Sequence, residues 1–198
     1  MGSNTFVERV MHRFGKEFGY GKPSNLTFAR EAEKLSGCAD GIRRIASARS
    51  EEEMIDCFLS KIDFCLAKNF PDKEVLKKYY REALEKKGIY IDRTVTLKNE
   101  KAVEKVNGVF LGDCKAELFV DRFAVSRIYV KHSGHLTVTA RNFAFVMIDA
   151  LDDAEVEVIA DKETNISINL YARATAHATG EGNVKLIRKN KETYELHD

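Results

Sequence analysis

Apolar residues recur every ten residues through the second half of this 198-residue chain. One such column contains Leu118, Ile128, Val138, Ile148, Val158, Ile168 and Ala178. Similar columns begin at Ala116 and Val120, and a column of small residues begins at Cys114. A fixed period without insertions is typical of repeat architectures, in which each unit buries its apolar face only by stacking on its neighbours.

Short strands separated by three-residue corners could form either an antiparallel meander or a β-solenoid. The constant spacing favours a β-solenoid, because meander turns vary in length and this region lacks Asn-Gly hairpin signals. Ten residues would make a very tight coil, so we expect two ten-residue arms per coil and about four coils. From residue 114 to about 178, residues whose numbers end in 4, 6, 8 or 0 should point inward; we call these columns 4, 6, 8 and 0. The register changes after Gly180, which predicts the last coil there.

The first half of the chain has helical periodicity instead. Apolar spacing predicts helices over residues 6–18, 26–35, 42–48, 50–69 and 71–87. Ser50 and Glu53 form a capping-box pattern, and Pro71 suits the first turn of a helix. Residues 89–97 change to a period of two, which indicates the first strand. The sequence therefore predicts an α+β fold, with a helical region over 1–90 and a single-stranded β-solenoid over 91–198 that ends in a polar tail.

Composition excludes several classes of partner. The 32 basic and 31 acidic residues nearly cancel, so we expect no nucleic-acid binding. No apolar run is long enough to span a bilayer, and the start of the chain lacks a signal-peptide pattern, so we expect no membrane association. The cysteines form no C-x-x-C pair, which favours reduced thiols and a cytoplasmic location. Cys114 belongs to the small inward column and is expected in the core.

Two segments resemble sequences of known type. Residues 152–187, DDAEVEVIADKETNISINLYARATAHATGEGNVKLI, resemble the decapeptide-repeat β-solenoids of bacterial and phage proteins. The preceding segment IDFCLAKNFPDKEVLKKYY with GIYIDRTVTL is similar to a group of uncharacterised proteins from Bacteroides-type bacteria and their phages. The resemblance covers about residues 55–190. It implies a helical region followed by a repeat solenoid, and it implies no activity.

Three polar corner residues, His132, His135 and Asp152, are the weak candidates for chemistry. Two histidines three residues apart could share a metal with an aspartate from the next coil, but such residues are more often solvated. We therefore predict no catalytic residue, no metal site and no cofactor. Asp121, Arg141 and Asp161 recur once per two-arm coil and are expected to form an ion ladder along one corner.

Aromatic and aliphatic residues gather at a single corner of the expected two-arm coil. An exposed apolar patch of this size should be covered, either by the chain's own helices or by a partner. The candidate interface residues are Phe119, Phe123, Val125, Tyr129, Phe143 and Phe145.

The sequence leaves three functions open. The leading hypothesis is a non-enzymatic binding or assembly module with the solenoid as a rigid platform, in a phage or mobile-element context. The alternatives are a small enzyme with a site between helices and solenoid, and a homo-oligomeric structural protein. A protein partner or self-association is expected in the first and third cases.

Overall fold

A computed structural model describes residues 21–99 and 101–196. The chain divides into two compact units, and the boundary lies between Ala83 and Leu84. The predicted helix over 6–18 lies outside the described residues. The described helices are α1 (Asn25–Lys34), α2 (Ala39–Ser47), α3 (Glu51–Ser60), α4 (Ile62–Lys68), α5 (Lys73–Tyr79) and α6 (Arg81–Lys86).

Side-chain caps set the starts of α1, α2, α3 and α5, and several boundaries differ from the prediction. Helix α2 begins at Ala39 rather than at residue 42, and the expected 71–87 helix is interrupted at Tyr80, between α5 and α6. The Ser50 hydroxyl accepts the Glu53 N–H at 3.1 Å, and the Glu53 carboxylate reaches back to the Arg49 N–H at 2.7 Å. The expected 50–69 helix is interrupted at Lys61, which separates α3 from α4. Helix α5 begins after Asp72 rather than at Pro71, because the Asp72 carboxylate accepts the N–H groups of the first turn.

The second unit contains eleven short strands among the described residues, all paired in parallel with their neighbours. They are β1 (Ile89–Ile91), β2 (Thr94–Lys98), β3 (Gly108–Leu111), β4 (Lys115–Val120), β5 (Val125–Val130), β6 (His135–Ala140), β7 (Phe145–Ala150), β8 (Glu155–Ala160), β9 (Asn165–Leu170), β10 (Thr175–Gly180) and β11 (Asn183–Arg188). Odd-numbered strands form a six-stranded sheet and even-numbered strands a five-stranded sheet. This arrangement is a two-sided β-solenoid.

Each regular coil consists of two ten-residue arms, as the period predicts. Ile128 pairs with Ile148 in one sheet, and Leu118 pairs with Val138 in the other. Columns 4, 6, 8 and 0 are buried from Cys114 to Ala174, which confirms the predicted inward face. The solenoid has about five turns rather than four, because β1, β2 and β3 form coils before the regular repeat begins.

The last coil is shorter than the others. Strand β11 pairs with β9 in a shifted register, since Asn183 rather than Lys185 lies opposite Asn165. The preceding corner contains only Glu181 and Gly182 between β10 and β11. Gly180 has a φ of +94°, and a Cβ at this position would overlap the Ala160 carbonyl. The change of register predicted after Gly180 is therefore confirmed.

Buried side chains fill the space between the two sheets. The cluster contains Val, Ile, Leu and Ala from the inward columns, and Cys114 lies within it. Phe110 fills the space beside Gly108 and stacks on Tyr90 with ring centroids 5.6 Å apart. In the part of the chain that the structure describes, no helix is both long and apolar enough to cross a membrane.

Candidate interaction surface

The solenoid has two edges, each formed by the corners at one side of the sheets. We call the edge that follows the five-stranded sheet the first edge, and its corners include residues 121–124, 141–144 and 161–164. The second edge includes residues 131–134, 151–154 and 171–174. In most of these corners, the N–H of the fourth residue donates to the carbonyl of the first, as from Ala144 to Arg141 at 3.1 Å.

Exposed apolar side chains cluster on the first edge. Phe123 and Phe143 occupy the third corner position on successive coils, and their rings stack with centroids 5.0 Å apart and planes within 3°. We call the surface formed by these two residues and their apolar neighbours the apolar edge; its members are Val103, Phe119, Phe123, Val125, Phe143 and Phe145. Their side chains are 41% to 70% exposed. Exposed apolar patches of this kind are often covered by another surface.

The backbone at these corners is left-handed at bulky residues. Phe123 and Phe143 have φ values of 61° and 63°, in the left-handed region that Gly and Asn prefer. Val103 occupies the corresponding position one coil earlier, because its N–H donates to the Arg122 carbonyl as that of Phe123 donates to Asn142. Its φ is 55°, which is rare for a β-branched residue. Positive φ recurs at other corners, including those of His132, Asp152 and Ala172, so it belongs to the coil geometry. What distinguishes the first edge is that bulky, exposed apolar residues occupy such positions there.

The apolar edge ends after the coil that contains Phe143 and Phe145. Glu163 follows Phe143 in the corner column, and Asn165 follows Phe145 in the sheet column. Asn183 then continues that sheet column, with its amide donating to Asn165 at 2.9 Å. The surface therefore includes residues of three successive coils, which span about 10 Å along the solenoid at the usual strand spacing.

Charged residues alternate along the same edge at the first corner position. Asp121, Arg141 and Asp161 occupy this position on successive coils, and Lys101 precedes Val103 as Asp121 precedes Phe123. Arg141 lies 4.0 Å from Asp161. The Asp121 carboxylate instead accepts the Asn142 amide at 2.7 Å and the Arg122 N–H at 2.8 Å. The predicted ion ladder is therefore partial, because Asp121 bonds within its own corner and to the next one.

The second edge differs because the chain's own C-terminal tail packs near it. The Tyr194 ring lies 5.0 Å from that of Tyr171, and its hydroxyl donates to the Asp149 carboxylate at 3.1 Å. The first corner positions of this edge, which include Lys131 and Leu151, are buried. The two edges of one solenoid thus contrast, with apolar groups covered at the second edge and exposed at the first.

The three weak polar candidates lie at or beside the second edge, and each has its own partner. The Gly112 N–H donates to His132 Nδ1 at 3.0 Å, while His135 Nδ1 lies 3.0 Å from Glu155. Asp152 pairs with the buried Lys131 ammonium at 2.9 Å. His132 thus contacts the preceding coil and His135 the following coil, so the two side chains have separate partners. The described ranges contain no group of three or more His, Cys, Asp or Glu residues that could hold a metal ion.

Tyr129 does not belong to the exposed surface, contrary to the sequence-based expectation. It points outward by alternation, but it is only 7% exposed, and the Arg127 guanidinium lies 5.5 Å from its ring centroid. Alternation gives the direction of a side chain and not what covers it. Conversely, Val103 belongs to the exposed surface although it is not among the residues predicted from the sequence, because it precedes the regular repeat. Its position one full coil before Phe123 was the available signal.

Comparisons with known proteins do not assign the chain to a family. No protein-family model matches it, and searches of curated proteins and of solved structures found no significant match. The surface geometry is therefore the basis for a functional proposal.

Proposed function

We propose that this protein is a non-enzymatic binding or assembly module whose apolar edge docks on a protein partner. The single observation that supports this is the stacked, exposed pair Phe123 and Phe143, both in left-handed backbone conformations. Neither solvation nor backbone preference favours phenylalanine at these positions. A partner that buries the rings would supply the missing stabilisation.

The solenoid suits the role of a rigid platform. From β4 to β10, successive strands are joined by regular parallel hydrogen bonding over coils of twenty residues, so the corner positions there keep a fixed spacing. Interface residues on such a frame lose little conformational freedom when they bind. A phage or mobile-element context and a cytoplasmic location are part of the same proposal, and they rest on the sequence resemblance and on composition.

Affinity capture with matched variants tests the proposal. The bait is the full chain, as wild type and as the double variant Phe123→Asn/Phe143→Asn. Asparagine tolerates positive φ, as Asn142 does in the neighbouring position, so the substitution removes the rings without straining the corner. We expect a stoichiometric partner that the wild type retains and the double variant releases. Binding should then be rebuilt from purified components.

Leu26→Gln is the control, because Leu26 is also a largely exposed apolar residue but lies on helix α1. It should retain the partner. The proposal fails if every protein captured by the wild type is captured equally by the double variant. Thermal unfolding of each bait checks that the loss of binding does not reflect loss of the fold.

A further inference from the structure

We propose that the partner on the apolar edge is a second copy of this chain, in an antiparallel arrangement with a two-fold axis between the coils of Phe123 and Phe143. This inference rests on the proposed function, since it names the occupant of the same surface. The order of charges along the first edge selects the arrangement.

The sign of the charge alternates from coil to coil at the first corner position. The residues there are Lys101, Asp121, Arg141 and Asp161. The side chains of the last three are 37% to 62% exposed, and Lys101 is also exposed. Such a series presents no net charge, but it is complementary to its own reverse.

A two-fold axis that lies in the interface and crosses the solenoid at right angles reverses the order of the coils. It also keeps each sheet on the same side as the corresponding sheet of the second copy. Asp121 then faces Arg141 of the second copy, and Lys101 faces Asp161 of the second copy. Symmetry repeats both contacts, so all four charged positions face an opposite charge.

The same axis brings the central apolar groups together, while Val103 at the margin faces Glu163 of the second copy. Phe123 faces Phe143 of the second copy across the axis, and Val125 faces Phe145 of the second copy. The two stacked pairs together form one aromatic cluster across the axis. The charged column lies beside this apolar centre as a polar rim, which is the usual arrangement of an interface.

Other arrangements of the same surfaces lose this match. A shift of the antiparallel pairing by one coil places Asp121 opposite Asp121 of the second copy. An axis parallel to the solenoid exchanges the sheets across the interface, so the charged column lies against the partner's phenylalanine column. Juxtaposed like charges and desolvated unpaired charges both disfavour association.

Sedimentation velocity of the full chain over a range of concentrations tests the inference. We expect a monomer–dimer equilibrium for the wild type. Lys101→Glu places like charges at two symmetric contacts and should weaken the dimer by about tenfold or more. Asp161→Lys should do the same. The double exchange Lys101→Glu/Asp161→Lys should return the dissociation constant towards the wild-type value.

The restoration is diagnostic because Lys101 and Asp161 are three coils apart in one chain, or about 14 Å. They can compensate each other only across the interface. Asp161→Lys also removes the exposed 4.0 Å contact with Arg141, and thermal unfolding of each variant monitors that effect.

The other outcomes contradict the self-association, the antiparallel arrangement or the proposed function, as follows. A chain that stays monomeric at the highest concentrations overturns this inference, while patch-dependent capture of a different protein would leave the proposed function intact. A dimer that is unaffected by Phe123→Asn/Phe143→Asn, together with capture that is also unaffected, overturns both. A dimer that needs the rings but is not restored by the charge exchange overturns the antiparallel arrangement.

Discussion

The Asn99 side chain bonds both backbone groups of Asp121. Its Oδ1 accepts the Asp121 N–H at 2.8 Å, and its Nδ2 donates to the Asp121 carbonyl at 3.0 Å and to the Lys101 carbonyl at 2.8 Å. The coil between strands β2 and β4 is one residue longer than the regular coil, since Thr94 lies opposite Lys115. The carboxamide thus supplies backbone-like hydrogen bonds where the register is irregular.

Replacing Asn99 should therefore destabilise the first coils. Asn99 is only 6% exposed, and Asn99→Ala removes three hydrogen bonds from groups with little access to water. We expect a loss of about 2–4 kcal/mol in the free energy of unfolding, measured by denaturant titration. Asn183→Ala is the control, because Asn183 is exposed and its amide bond to Asn165 should contribute little. Equal losses for the two variants would contradict this role of Asn99.

Ser126 should be a position where a substitution stabilises the protein. Its side chain is fully buried in the solenoid core, and its hydroxyl has no hydrogen-bond partner among the residues that the structure describes. A buried unpaired hydroxyl costs about 1–3 kcal/mol, so Ser126→Ala should raise the free energy of unfolding by about 1 kcal/mol.

Thr164 provides the opposite case in the same core. Its hydroxyl donates to the Asp161 carbonyl at 2.7 Å, so Thr164→Val should lower stability by about 1 kcal/mol at nearly constant volume. Thermal and denaturant unfolding of both variants would give opposite signs. A decrease for Ser126→Ala would show that its hydroxyl is satisfied in solution.

Gly180 should tolerate no larger residue. Its φ is +94°, and an added Cβ would overlap backbone atoms of Ala160, which cannot move without disturbing β8. We expect Gly180→Ala to cost about 3 kcal/mol or more, or to release β11 from the sheet. Hydrogen exchange of β11 amides distinguishes the two results. Gly21→Ala is the control, because among the described residues, apart from its chain neighbours, no atom lies within 4 Å of a Cβ built there.

Cys38 should react with alkylating agents faster than the other cysteines. It is exposed, and the Gly41 N–H donates to its sulfur at 3.4 Å. This hydrogen bond, together with the nearby Lys61 ammonium, lowers the pKa of Cys38. A lower pKa increases the thiolate fraction at neutral pH, and the thiolate is the nucleophile.

The other three cysteines are buried, and burial raises the pKa of Cys57 and Cys114 and that of Cys65 to about 12. Iodoacetamide labelling followed by mass spectrometry should therefore show a single fast site in the folded protein. The pH at which its rate is half-maximal should lie below that of free cysteine, and Lys61→Gln should move it upward. Labelling of all four sites at one rate would contradict the burial pattern.

The ten-residue period was enough to predict the coil length, the inward columns and the change after Gly180. It succeeded because stacking forces every coil to repeat the same contacts. It could not predict the role of Asn99, since the first coils precede the readable repeat. Nor could it predict the burial of Tyr129, which depends on what packs outside the sheet.

The helical unit was less predictable for a related reason. Apolar spacing indicated one helix over 50–69, but it continues unchanged through Lys61, where the helix is interrupted. Likewise, Pro71 suits a helix start in isolation, but the Asp72 carboxylate forms the actual cap. Helix boundaries depend on local hydrogen bonds, and the apolar periodicity of the sequence does not reveal those bonds.

The two-arm coil restricts how this protein could change length during evolution. Duplication of one ten-residue arm would move every later corner to the opposite edge, so Phe143 would no longer follow Phe123 on the same side. Duplication of one complete coil would leave every corner on its original edge. It would, however, break the alternation of charge between Asp121 and Arg141. Only the gain or loss of coils in pairs between these residues preserves both patterns, so length variants among descendants should differ at this place by an even number of complete coils.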